Sequence, residues 1–380
     1  MNLFCCLRTL AAGLALFVGA SGANALAATP MVATGLDHTC VLNSGGGVKC
    51  WGDNNSGQLG DGTTTKRPTP VDVSGLTSGV IAIAAGGGAG SGHTCAVTGG
   101  GGVKCWGLNL DGQLGDNSFT SMMQTAPVDV SGLTSGATAI TAGTSHTCAV
   151  SGGGGVKCWG WDSFGQLGDG TSYPMRRAPV DVSGLSSGAT AIAAGNAHTC
   201  ALTSGGGVKC WGDNVYGELG DNSTTMRLAP VDVSGLASGA TSVATGNGHT
   251  CAMTGSGGVK CWGDNGSGQL GDNSTTRRLT PVDVVGLSAS TATLPISDAR
   301  VFAFAEANYP GLFAGTPAAG QYQQYDYRYY PSSQNYLAVD TAGMIFLLGP
   351  VTGGVVAGVG AVESFRTPIT TWESSVGLTY

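Results

Sequence analysis

His198-Thr199-Cys200-Ala201-Leu202, a Ser-Gly-Gly-Gly turn, Val208-Lys209-Cys210-Trp211-Gly212, then Gly217-Glu218-Leu219-Gly220-Asp221 and Pro230-Val231-Asp232-Val233 form one of five near-copies in this chain. The His-Thr-Cys triplets begin at His38, His93, His146, His198 and His249, so the period is 51 to 55 residues. Self-similarity at that period marks an architecture whose units bury their apolar faces against their neighbours. A residue present once per unit serves the unit, and function is sought where the units differ.

Within the fourth unit four short strands are expected, at 190–194, 198–202, 208–212 and 230–233, with Gly, Asn, Ser and Asp in the connections. No stretch between residues 31 and 290 sustains helical periodicity. Four antiparallel strands per unit describe a propeller blade, so the fold class is all-β, a five-repeat β-propeller followed by a small α+β C-terminal domain. Pro heading the fourth strand suits an edge, where a missing N–H is harmless. Trp51, Trp106, Trp159, Trp211 and Trp262 each follow the second cysteine of a unit and are expected to pack blade against blade.

Ten of the twelve cysteines lie in the repeats, in pairs ten residues apart: Cys40 with Cys50, Cys95 with Cys105, Cys148 with Cys158, Cys200 with Cys210, and Cys251 with Cys261. Each pair flanks a Gly-rich turn, and folding the hairpin about that turn sets the two cysteines opposite each other. Opposed residues lie roughly 4.5–5.5 Å apart, within disulfide range. Five local disulfides are therefore expected. The alternative is a zinc site from His38, Cys40 and Cys50 and their equivalents, which five identical copies and an oxidising compartment disfavour. The histidines are then expected to bond a backbone carbonyl near a turn.

Residues 1–27 read as a signal peptide, with Arg8 before an apolar run and Ala25-Leu26-Ala27 before the cut. Export to the periplasm or the extracellular space follows, with no membrane span in the remainder. The chain carries a net charge of −7, and removing residues 1–27 takes away Arg8 and no acid. Basic residues form no run longer than Lys66-Arg67, Arg176-Arg177 or Arg277-Arg278, so the positive footprint of nucleic-acid binding is missing.

His-Thr-Cys-Ala-Leu, Gly-Gly-Val-Lys-Cys-Trp-Gly and Gly-Gln-Leu-Gly-Asp resemble the repeat of the regulator of chromosome condensation family, in the cysteine-paired form of exported bacterial proteins. The resemblance covers residues 31 to about 287 in all five units. It implies a β-propeller, usually of seven blades in the family, acting as a rigid protein-binding platform. The family's eukaryotic namesake exchanges guanine nucleotide on a small GTPase. That activity is not carried over to a chain with an export signal and no inserted wedge loop.

The units disagree after Trp-Gly. They read Asp53-Asn54-Asn55-Ser56, Leu108-Asn109-Leu110-Asp111, Trp161-Asp162-Ser163-Phe164, Asp213-Asn214-Val215-Tyr216 and Asp264-Asn265-Gly266-Ser267. Leu108, Leu110, Asp111, Trp161, Asp162, Phe164, Asp213, Val215 and Tyr216 are the candidate binding residues, because apolar groups beside acids and amides suit protein and glycan sites. A second variable loop holds Phe119, Met122 and Met123 in one unit and Tyr173, Met175, Arg176 and Arg177 in the next. Asp61, Asp116, Asp169, Asp221 and Asp272 lack the spaced acids of a calcium loop and are expected to close Asx turns.

Residues 291–380 change character: Cys and His vanish, and eight of the ten tyrosines lie from Tyr309 onward. A helix is expected from Ser297 to about Asn308, strands near 325–330, 336–340 and 344–348, and a closing helix at 363–374. This stretch resembles an uncharacterised C-terminal domain of exported proteobacterial proteins.

No nucleophile, base and orienter assemble from unique residues, and no phosphate-cradling loop is present, so neither an enzyme nor a cofactor is expected. The expected function is binding of an unidentified protein partner through one loop face. The alternative is an envelope-glycan module whose recognition element is the Tyr-rich tail.

Overall fold

The computed structural model describes residues 28–88 and 92–287, and beyond them the backbone of four strands at 318–322, 325–330, 335–340 and 345–348. The chain divides into two units, Met1–Gly286 and Leu287–Tyr380. The expected signal peptide, both expected tail helices and part of the 86–92 insertion lie outside the described residues. Among the described residues, no helix is long and apolar enough to cross a membrane.

Among its described residues the first unit forms five four-stranded antiparallel sheets, each a simple meander in chain order. In the fourth the strands are Ala189–Ala194, His198–Thr203, Val208–Gly212 and Arg227–Asp232. The first three match the sequence reading closely. The fourth begins three residues earlier than expected, so Pro230 lies inside it rather than at its head. Its position at the sheet edge permits this, and the register slips between Cys210 and Gly212, where Val231 and Arg227 are the successive partners.

Second and third strands pair with Cys opposite Cys in every blade. All five expected disulfides are present: Cys40 to Cys50, Cys95 to Cys105, Cys148 to Cys158, Cys200 to Cys210, and Cys251 to Cys261. Each Cα–Cα distance is 4.1 Å, somewhat closer than the spacing expected of opposed strand residues. The sulfurs are bound to one another, which removes the zinc ligand set. Lys and Asp clamp the third strand to the edge strand in all five blades, as in Lys157–Asp181 at 2.6 Å.

Among the described residues four apolar cores form, and each ends on the tryptophan of the following blade: Trp106, Trp159, Trp211 and Trp262 are completely buried in the core of the blade before. The glycine of Leu-Gly-Asp makes room for them. A Cβ on Gly115 would stand 2.7 Å from the Trp159 indole nitrogen, and its φ of +67° is one that side chains rarely adopt. Trp51, in the first described blade, stays half-exposed.

The histidines depart from expectation. Their Nε2 atoms meet the threonine hydroxyl of the next blade rather than a carbonyl: His38–Thr94, His93–Thr147, His146–Thr199 and His198–Thr250, each 2.9 Å. The two groups face each other only after the blades stack, so the pairing spans 52 to 56 residues of sequence and has no local signature.

In the second unit the strands Ala318–Tyr322, Tyr325–Tyr330, Asn335–Asp340 and Ile345–Leu348 form one antiparallel meander. Three coincide with expected strands. Ala318–Tyr322 is additional, and its Ala-Ala-Gly opening carries little strand preference.

Candidate functional site: the loops between third and fourth strands

The loop leaving each third strand is held by a repeated polar frame. In the first blade, Asn54 Oδ1 accepts from the Leu59 N–H at 2.9 Å, while Nδ2 donates to Asp61 Oδ1 and to the carbonyls of Thr63 and Thr65. Asp61 accepts from the Thr63 N–H, as an Asx turn requires, and its other oxygen takes the Arg67 guanidinium at 2.8 Å. Arg176–Asp169, Arg227–Asp221 and Arg278–Asp272 repeat the ion pair. Hydrogen bonding and the arginine hold Asp61, Asp169 and Asp221 below the usual carboxylate range despite partial burial, and take Asp272 to about 2. The aspartates therefore fix the loops that carry the variable residues.

On this frame the middle three blades display apolar side chains. Leu110 and Val215 are 51% exposed, Tyr216 46% and Phe164 36%. Leu108, Trp161, Asp111 and Asp213 are half-buried. The Trp161 ring stands edge-on to Phe164 with centroids 5.2 Å apart, so each ring braces the other. The second variable loop is more exposed still: Phe119 reaches 78%, Met122 69% and Tyr173 61%. The Arg177 guanidinium lies over the Phe119 ring at 5.3 Å and Arg176 over Tyr173 at 5.1 Å. Arg277 extends from the fifth blade to the Val215 carbonyl at 3.3 Å. Nothing in the sequence separates it from the paired Arg278, so sequence reasoning gives it no role.

Asp162 is placed differently from the other candidates. It is completely buried, in the position that Asn occupies in the other four blades. Its Oδ1 accepts from the Leu167 N–H, but Oδ2 has no partner where the asparagines place their amide. Burial, and then the nearby Asp169 charge, push its carboxyl up to about 7. Glu218 likewise replaces the Gln of the other blades, and burial raises it to about 7. Gln58 and Gln269 donate to Asp53 and Asp264. Gln113 and Gln166 stand in the blades where Leu108 and Trp161 replace that aspartate, and their Nε2 atoms are unpaired. Among the described residues no group of three or more His, Cys, Asp or Glu is arranged to hold a metal ion.

Models of the regulator of chromosome condensation (RCC1) repeat match residues 46–97, 101–150, 154–202 and 206–253, and a second model of the same repeat reaches residue 269. Among curated proteins the chain is 32% identical over 263 residues to the ultraviolet-B receptor UVR8 of Arabidopsis thaliana, covering 69% of this chain and 59% of that one. It is 32% identical over 268 residues to the probable E3 ubiquitin-protein ligase HERC6 of Homo sapiens, covering 69% of this chain but 26% of the ligase. This chain thus matches only part of each relative's length. Among solved structures, Prp20p of Saccharomyces cerevisiae aligns with a TM-score of 0.58 at 20% identity, over 69% of this chain and 64% of that one. Human WBSCR16 aligns with a TM-score of 0.58 at 19% identity, over 85% and 76% of the two chains. Both share the fold. The five blades, their tryptophan-capped cores and the matched repeats agree: the chain belongs to the regulator of chromosome condensation (RCC1) repeat family.

Proposed function

We propose that this chain is an exported, non-enzymatic platform that binds a protein through the loops between the third and fourth strands of its middle blades. The observation that carries the reading is the contrast between blades. Blades two to four expose Leu110, Phe164, Val215 and Tyr216 in the loop after Trp-Gly, and Phe119 and Tyr173 in the second variable loop, whereas the loop after Trp-Gly in the first and fifth blades carries Asn55-Ser56 and Gly266-Ser267. Exposed aromatics on a rigid frame bind at low cost in conformational entropy. Prp20p has binding properties toward Gsp1p and histones, in keeping with a family propeller that presents a surface to proteins. Five disulfides suit the oxidising side of a membrane.

The test is affinity capture from envelope extracts with the full disulfide-bonded chain and with Phe164→Ala, Tyr216→Ala and Asp181→Ala. A protein retained by the wild type and by Asp181→Ala, but lost with both aromatic variants, supports the reading. Retention that ignores Phe164 and Tyr216 removes the loop face as the binding surface.

A further inference from the structure

Nearly every described cation of the first unit is already neutralised. Lys49, Lys104, Lys157, Lys209 and Lys260 pair with edge-strand aspartates; Arg67, Arg176, Arg227 and Arg278 pair with the loop aspartates; Lys66 pairs with Asp53 at 2.9 Å. Among the described residues of that unit, two arginines have no carboxylate partner, Arg177 and Arg277. Both sit where the fourth strand begins, and both reach back across a blade junction to a variable loop of the preceding blade. Arg177 Nη1 donates to the Ser118 carbonyl at 3.3 Å and Arg277 Nη1 to the Val215 carbonyl at 3.3 Å. Each neutral carbonyl uses one of the five guanidinium N–H donors and leaves the charge uncompensated. Each is joined to an exposed apolar residue: the Phe119 ring lies under Arg177, and the carbonyl that Arg277 holds belongs to Val215, which the exposed Tyr216 follows in the chain.

An unpaired guanidinium fixed beside an aromatic or aliphatic side chain matches a carboxylate followed by an apolar residue. The planar fork donates to both oxygens of a carboxylate while the neighbour buries carbon. We propose that the loop face binds an acidic peptide segment in which Asp or Glu alternates with aromatic or aliphatic residues, Arg177 and Arg277 each holding a carboxylate. This rests on the platform reading above and supplies the chemistry of its partner. A uniformly charged polyanion fits less well. It would also meet Asp111 and Asp213 in the same loops and a chain of net charge −7. The recognition is therefore local, set by two guanidinium groups rather than by the field of the whole protein.

The experiment is selection from a random peptide display library on the full disulfide-bonded chain. Affinities of the selected peptides are then measured for the wild type, for Arg177→Gln combined with Arg277→Gln, and for Tyr216→Ala, with thermal melting to verify the fold of each. The expected result is enrichment of acidic-aromatic peptides whose affinity falls about tenfold in the double variant. An equal fall is expected when the peptide's own acids become amides, and that substitution should then cost nothing further in the double variant. Added salt should weaken the acidic peptides and leave their amide forms unchanged. Selected peptides without acids that bind normally to the arginine variant but poorly to Tyr216→Ala overturn the acidic chemistry and leave the platform standing. Peptides indifferent both to the arginine pair and to Tyr216→Ala, or no enrichment at all, overturn both. Heparin binding that depends on the two arginines, without peptide enrichment, overturns the peptide assignment in favour of a polyanion.

Discussion

Across the junction between the third and fourth blades, the Nε2–H of His146 donates to the Thr199 hydroxyl at 2.9 Å. The direction follows from the threonine, whose one hydrogen is given to the Gln166 carbonyl at 2.9 Å. That carbonyl also accepts the Trp211 indole N–H at 2.9 Å, so four buried polar groups are satisfied by three hydrogen bonds at a single seam. The same set recurs at the other three junctions between consecutive blades.

Thr199→Val should therefore cost about 1–3 kcal/mol, because it strands a buried N–H in one blade and removes a donor from the carbonyl of the same blade. Thr39 occupies the equivalent place in the first blade, is half-buried, and has no described histidine before it. Thr39→Val is expected to stay within about 0.5 kcal/mol of wild type. Urea unfolding of the two variants decides the matter: equal costs would show that the junction bonds contribute nothing.

The strands, the cysteine pairs and the tryptophan caps were legible because each is encoded within one unit, as alternation, spacing and a turn. The His–Thr seam was not, since its partners lie 52 to 56 residues apart and meet only on stacking. Trp161 and Asp162 show the same limit at the loop face. Adjacent in sequence, one is half-buried and the other completely buried, because Asp162 takes the place of a frame asparagine and faces inward.

Acid should destabilise the propeller through its buried histidines. Burial lowers His93, His146 and His198 from 6.5 to about 3, and His38 to about 4. The unfolded chain protonates these rings from about pH 6.5 downward while the folded one resists. Each histidine thus withdraws up to about 1.4 kcal/mol per pH unit as pH falls below that value. Asp162 and Glu218 act in the opposite sense over much of the same range, so the four histidines prevail by number. Melting temperature should hold near pH 7 and drop steeply from about pH 6 to pH 4. A flat profile would mean that the rings are charged in the folded state.

Asp162→Asn should stabilise the protein. A carboxyl raised to about 7 keeps its proton in the folded state while the unfolded one ionises from 3.8, so stability is lost as pH rises between those values. Asparagine would instead donate to Asp169 as Asn214 does to Asp221 at 3.1 Å. The expected gain is about 1–3 kcal/mol at pH 8 and smaller at pH 5. Denaturant midpoints at the two pH values check it. A variant weaker than wild type at pH 8 would reveal a cationic partner for Asp162.

The disulfides allow chain entropy and packing to be separated. Each closes a loop of sequence separation 10, which constrains the unfolded chain by about 2–3 kcal/mol whichever blade it lies in. Packing differs between blades: Cys148 and Cys158 are completely buried between neighbours, whereas Cys251 in the fifth blade is half-buried. Replacing both cysteines by alanine should therefore cost more in the third blade than in the fifth, the excess being the apolar packing that each buried sulfur supplies. Chemical denaturation of Cys148→Ala with Cys158→Ala, and of Cys251→Ala with Cys261→Ala, gives the comparison. Equal costs would assign the whole contribution to loop closure and none to the seams between blades.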